Sequence, residues 1–139
     1  GGFTINKSRL SFLDKKTRVL ISSRKIDPSN TFLYHKTTNR SLYDRERKKA
    51  RSKGFFEVIF LNTKSQLTEG SMSNIFILKQ KNLYTPAIKS GVLPGVLRQE
   101  LLSKGAAKER TLYIKDLMEA EKVYIGNSVR GLLEAEVIL

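Results

Sequence analysis

The segment Phe55–Leu61, FFEVIFL, constrains the fold of this chain more than any other feature. It is short, almost wholly apolar and rich in aromatic and β-branched residues, so it reads as a buried strand. Asn62-Thr63-Lys64-Ser65 follows as a hairpin turn, which makes Gln66–Glu69 the return strand. Ser73–Leu78 reads as another strand, turned by Lys79–Asn82 into Leu83-Tyr84-Thr85 and ended by Pro86. Helices interleave with these hairpins. Thr37, Thr38 and Asn39 are candidate N-caps for a helix through Ala50, with Gly54 as its stop. Leu42, Tyr43 and Ala50 face inward on it. The basic run Arg45–Lys53 faces outward as a solvated surface. Val96–Ser103 is a second amphipathic helix, stopped by Gly105. Glu109–Ile114 reads as a strand, Lys115–Ala120 as a short helix, and Lys122–Ile125 as a strand leading into Gly126-Asn127-Ser128. The tail from Arg130 to Leu139 ends in a strand. Strand hairpins with interleaved helices define an α+β fold.

The chain has 139 residues, which suits one domain with a core of its own. The stretch Thr17–Ile26 contains a short β-prone segment, Arg18-Val19-Leu20-Ile21, and Asp27-Pro28-Ser29-Asn30 is the turn cluster that closes it. Residues 1–27 are expected to be a linker or the tail of a preceding domain, and 28–139 the domain proper. The start, Gly1-Gly2-Phe3, reads as a cut from a longer protein or as the remnant of a tag. No cysteine is present and His35 is the one histidine, which excludes disulfides, thiolate nucleophiles and multi-histidine metal sites. No apolar run approaches the ~20 residues of a membrane helix, and a cytoplasmic location is expected. A net charge of +13 favours anionic partners.

Four positions have a pattern that can carry chemistry. Lys36 sits between a β-type segment and a capped helix start, a setting that can hold an amine rigid and partly desolvated. Leu93-Pro94-Gly95 precedes a helix whose first free N–H groups belong to Val96 and Leu97, an arrangement that cradles a phosphate. Glu69 lies at a strand end before the small residues of Gly70-Ser71-Met72-Ser73-Asn74, where an acid can reach a bound group. Ser128 can offer a hydroxyl. Each has an ordinary alternative: a solvated lysine, a tight turn, a turn-flanking acid, a helix cap.

Their order is more specific than any one of them. HKTTNR, LTEGSMSNIF, LYTP, GVLPGVLRQ and IGNSVRG, in that order, resemble the class IV aminotransferase-like pyridoxal-phosphate enzymes. That family includes branched-chain aminotransferases, D-amino-acid aminotransferases and aminodeoxychorismate lyases. HKTTNRSLYD and NSVRG are most similar to the lyases, including those fused behind aminodeoxychorismate synthase. The resemblance implies the C-terminal domain of the D-amino-acid aminotransferase-like fold, a mixed sheet or pseudobarrel with flanking helices. It implies pyridoxal 5'-phosphate as cofactor and Lys36 as its Schiff-base lysine. It implies Glu69 at the pyridine nitrogen, Leu93 on the ring, the N–H groups of Val96 and Leu97 on the phosphate, and Ser128 beside it. Asn39, Arg40, Tyr43 and Asn74 are pocket candidates without an assigned role. No metal is expected.

The activity implied is release of 4-aminobenzoate and pyruvate from 4-amino-4-deoxychorismate, in folate biosynthesis. The implied partners are a small anionic substrate, an absent N-terminal domain that completes the site, a fused or separate synthase subunit, and a second copy in a homodimer. Membrane and nucleic-acid partners are not expected. The rival readings are an aminotransferase of the same fold, a basic nucleic-acid-binding module suggested by the charge and the basic helix, and an isolated piece without activity of its own.

Overall fold

The computed structural model describes residues 16–29 and 40–139. Within these residues eight strands form one mixed sheet in the order β3-β2-β1-β8-β7-β4-β5-β6. These are β1 (Thr17–Ile26), β2 (Glu57–Asn62), β3 (Leu67–Gly70), β4 (Asn74–Lys79), β5 (Asn82–Pro86), β6 (Ala107–Arg110), β7 (Lys122–Asn127) and β8 (Gly131–Ile138). Among the described residues three α-helices accompany them: α1 (Arg40–Ser52), α2 (Val96–Ser103) and α3 (Ile114–Glu119).

Two strand pairs are parallel through a helical crossover. β1 and β2 are joined through α1, and β5 and β6 through α2. Each helix lies over the outer face of the strands it connects. The β2 pattern shows why its sequence is apolar without interruption. Val58 and Phe60 pack with Tyr43 and Ala50 of α1, while Ile59 and Leu61 point into the inner cluster. Likewise Phe76 and Tyr124 meet Leu101 of α2, and their neighbours Ile75, Ile77, Val123 and Ile125 face inward. Burying one such side chain stabilises the fold by about 1.5–3 kcal/mol.

The sheet curls until its ends meet. Gln66 forms an isolated bridge with Tyr113, and the Leu67 N–H donates to the Leu112 carbonyl at 2.7 Å. The segment after β6 therefore closes against β3, and Leu112 and Leu117 seal the inner cluster. This is the expected mixed, barrel-like sheet with flanking helices.

Two details differ from the sequence reading. β1 is not a linker: it lies in the middle of the sheet, paired with β2 on one side and β8 on the other. The domain therefore begins at least ten residues before position 28, because the pairing of β1 is set by strands far away in sequence. The expected strand Glu109–Ile114 ends earlier, at Arg110. Asp116 accepts a hydrogen bond from the Tyr113 N–H at 2.7 Å and fixes a helix start there. Ser128 lies in the turn between β7 and β8. The basic residues of α1 do face solvent, apart from half-buried Arg47, while Glu46 turns inward and accepts the Ser22 hydroxyl of β1 at 2.7 Å. No helix among the described residues is long and apolar enough to cross a membrane.

Candidate active site

The loops at the end of β3, before α2 and after β7 converge on a cavity of about 430 Å³. That size suits a small-molecule ligand. Arg40, Tyr43, Glu69, Asn74, Leu93 and Ser128 line it, together with Val96 and Leu97. The structure thus brings together every described residue that the sequence pointed to. Lys36 and Asn39 lie outside the described residues.

Glu69 is the chemical centre of this cavity. Only 4% of it is exposed. Its Oε2 accepts the Tyr43 hydroxyl at 3.2 Å and its Oε1 accepts the Leu93 N–H at 3.2 Å. Burial pushes its carboxyl up to about 8, and the two hydrogen bonds with the charges of Arg40 and Arg98 offset only part of this. Tyr43 is likewise pushed far up, first by burial and then by the carboxylate beside it, so it stays a phenol and a donor. Its ring stacks on Phe60 at 4.6 Å between centroids, which fixes the hydroxyl. Near neutral pH and with nothing bound, Glu69 holds a proton.

The opposite wall is the start of α2. Among the described residues no side chain caps this helix, so the N–H groups of its first turn can receive an anion. Gly95 precedes it, and a Cβ there would stand 2.4 Å from Asn74 Oδ1. Asn74 in turn donates from Nδ2 to the Leu93 carbonyl at 3.3 Å, so the residue missing a side chain and the amide beside it shape the loop together. Arg98, in the same turn, is fully buried; it pairs with Glu109 and donates to the Pro86 carbonyl at 3.1 Å. It anchors the helix from behind.

The third wall is the loop Ser71–Ser73, which the sequence reading left without a role. It is held by Glu57, 2% exposed, at the start of β2. Glu57 accepts from the N–H groups of Val58, Ser71 and Met72 and from the hydroxyls of Ser71 and Ser73. A Cβ on Gly70 would meet Glu57 Oε2 at 2.9 Å, so the turn that leaves β3 has no space for a larger residue. A single acid in FFEVIFL gave no hint of this, because all but one of its donors lie 14–16 residues downstream.

An anion cradle at one end, a buried proton-holding acid at the other and an apolar side chain between them define a site for a phosphorylated, nitrogen-containing ring. The chain belongs to the class IV aminotransferase family, whose model matches residues 3–138. Members of that family use pyridoxal phosphate. The chain is 30% identical over 83 residues to a probable branched-chain-amino-acid aminotransferase of Thermotoga maritima, a match covering 56% of this chain and 30% of that one. It is 28% identical over 137 residues to aminodeoxychorismate lyase of Saccharomyces cerevisiae, covering 86% of this chain and 36% of the lyase. It therefore spans about a third of the length of these relatives. Among solved structures, a putative amino-acid aminotransferase from Mesorhizobium loti superposes with a TM-score of 0.85 at 36% identity, covering 90% of this chain and 61% of that one. A putative 4-amino-4-deoxychorismate lyase from Legionella pneumophila superposes with a TM-score of 0.82 at 25% identity, covering 88% and 48%.

Proposed function

We propose that this chain is the cofactor-binding part of a pyridoxal-phosphate-dependent aminodeoxychorismate lyase. The observation that carries the cofactor assignment is the placement of Glu69, buried and hydrogen-bonded, across one cavity from the uncapped start of α2. The lyase, as opposed to aminotransferase, assignment is supported by the segments HKTTNRSLYD and NSVRG, and the yeast lyase aligns over 86% of the chain.

In this reading the N–H groups of Val96 and Leu97 hold the phosphate and Leu93 packs on the ring. Glu69 meets the ring nitrogen and can deliver to it the proton that burial holds on its carboxyl, which leaves an ion pair in place of two neutral groups. The cofactor, when bound, withdraws electrons from the substrate carbon that carries the amine. Lys36 holds the cofactor between turnovers, and its freed Nζ takes the proton from that carbon. The bond from the ring to the enolpyruvyl oxygen breaks, the ring becomes aromatic, and the leaving enol takes up a proton to become pyruvate. The atoms of 4-amino-4-deoxychorismate divide between 4-aminobenzoate and pyruvate with no co-substrate. The substrate's remaining contacts and the surface that closes the open side of the cavity belong to the N-terminal domain, and the working unit is a homodimer.

The full-length protein supplied with 4-amino-4-deoxychorismate is expected to release both products in equal amounts without an amino acceptor. Lys36→Ala is expected to lower that rate by at least ~10²–10⁴-fold and to remove the visible absorbance of bound cofactor. Transfer of an amino group to branched-chain 2-oxo acids, with no pyruvate formed, would establish the aminotransferase reading instead.

A further inference from the structure

Behind the Ser71–Ser73 loop lies a second, smaller cavity of about 30 Å³. Arg47, Arg51 and Arg130 line it around Phe56. The guanidinium carbons of Arg51 and Arg130 each lie 4.9 Å from the Phe56 ring centroid. Arg47 Nη1 approaches Met72 Sδ at 2.7 Å. Two elements distant in sequence, the end of α1 and the β7–β8 turn, thus bring their arginines to one aromatic ring.

Among the described residues these three cations have no carboxylate of their own. The one acid among them that lines the cavity is Glu57, and both its oxygens are engaged by Val58 and the Ser71–Ser73 loop. Among the described residues none of the three arginines takes part in an ion pair. Stacking on Phe56 holds the planar forks of two of them in place while leaving their N–H groups free to donate. The space admits a group the size of a carboxylate, given about 10–15 Å³ for each water-sized occupant. Met72, Ser73 and Asn127 line both this cavity and the larger one, so the two share a wall. Asn127 fastens that wall by donating to the Met72 carbonyl at 2.9 Å.

We propose that Arg47, Arg51 and Arg130 form a carboxylate subsite at the rim of the active cavity, which selects a substrate bearing two carboxylates over one bearing a single carboxylate. The proposal rests on the lyase reading, whose substrate carries one carboxylate on its ring and another on its enolpyruvyl arm. A branched-chain amino acid offers an apolar side chain there and gains nothing from three guanidinium groups.

The test uses the full-length protein loaded with cofactor, at near-physiological salt, with isophthalate and benzoate as rigid dicarboxylate and monocarboxylate probes in calorimetric titrations. Isophthalate is expected to bind at least tenfold more tightly than benzoate. Arg51→Gln combined with Arg130→Gln is expected to erase that difference while leaving benzoate affinity and the cofactor's absorbance unchanged, since both residues are exposed. Arg130→Lys, which keeps the charge but loses the fork, is expected to fall between. Equal affinities in the unaltered protein, or a difference that survives in the double variant, would overturn the subsite; the second result would mean that these arginines meet another part of the protein. Pyruvate release with an unchanged KM in the double variant would sink the subsite and leave the lyase reading standing. An isophthalate preference that the unaltered protein shows and the double variant loses, without pyruvate release, would do the reverse.

Discussion

The hydroxyl of Tyr43 donates to Glu69 Oε2 at 3.2 Å, and the ring behind it stacks on Phe60. A helix residue thereby sets the state of an acid on a strand 26 positions away. Replacing Tyr43 by Phe keeps the stack and removes the donor. The Glu69 carboxyl is then expected to climb further above about 8. A hydrogen bond to a charged group contributes ~1.5 kcal/mol, which corresponds to a rise of about one pH unit. Carbon-13 NMR of labelled glutamate carboxyls reads this directly. An unmoved titration would show that the two side chains act independently.

The raised Glu69 carboxyl also makes stability depend on pH. Its ordinary value is 4.5, and in the folded chain it is about 8. Between these values the folded state binds more protons than the unfolded one, so the unfolding free energy falls as pH rises. The contribution is complete below about 4.5 and lost above about 8. Calorimetric melts of the cofactor-free protein are expected to show a declining Tm across this window. Glu69→Gln is expected to flatten the decline, and an equally steep curve in that variant would assign the effect to other groups.

Gly95 is required by contact and not by backbone angle, since its φ of −61° is open to any residue. Gly95→Ala is expected to displace Asn74, break its bond to the Leu93 carbonyl and weaken cofactor binding by at least about tenfold, the cost of one lost hydrogen bond in a buried site. Adding Asn74→Ala removes the clash and is expected to recover part of the loss. Spectroscopic titration with pyridoxal phosphate measures both, and a double variant no better than the single one would mean that Gly95 matters for another reason.

Phe60 is fully buried and carries both the packing of α1 and the orientation of Tyr43. Phe60→Ala is expected to cost about 3–5 kcal/mol of stability, while Phe60→Leu costs less but still frees the tyrosine ring. Denaturant melts combined with the Glu69 titration separate these effects. A Leu variant with a normal titration would show that stacking does not position the hydroxyl.

Much of this arrangement was legible in the sequence because it is local. The run FFEVIFL becomes β2 with its hairpin, Val96–Ser103 matches α2 residue for residue, and Gly54 and Gly105 both take the left-handed conformation that their positions at helix ends suggested. Tyr43 was readable as inward-facing from helical spacing, but spacing carries no information about what it meets. What escaped the reading depends on distant partners. β1 looked like a linker because neither of its neighbours in the sheet is near it in sequence. Glu57 was hidden in an apolar run, and Arg98 is buried against the usual habit of arginine. A buried charge of either sign declares itself only once its partners are folded around it.

The central place of β1 has a bearing on how the molecule is made. Its Thr17–Leu20 portion pairs with Ala135–Ile138 of β8, so two segments from opposite ends of the described chain lie edge to edge. On the ribosome the first of these must wait, half its backbone unpaired, until β8, more than a hundred residues later, has emerged. Contacts so far apart in sequence slow the search for the native state. A truncation that spares every residue of the active cavity but removes β8 is therefore expected to leave a chain that collects in aggregates during synthesis.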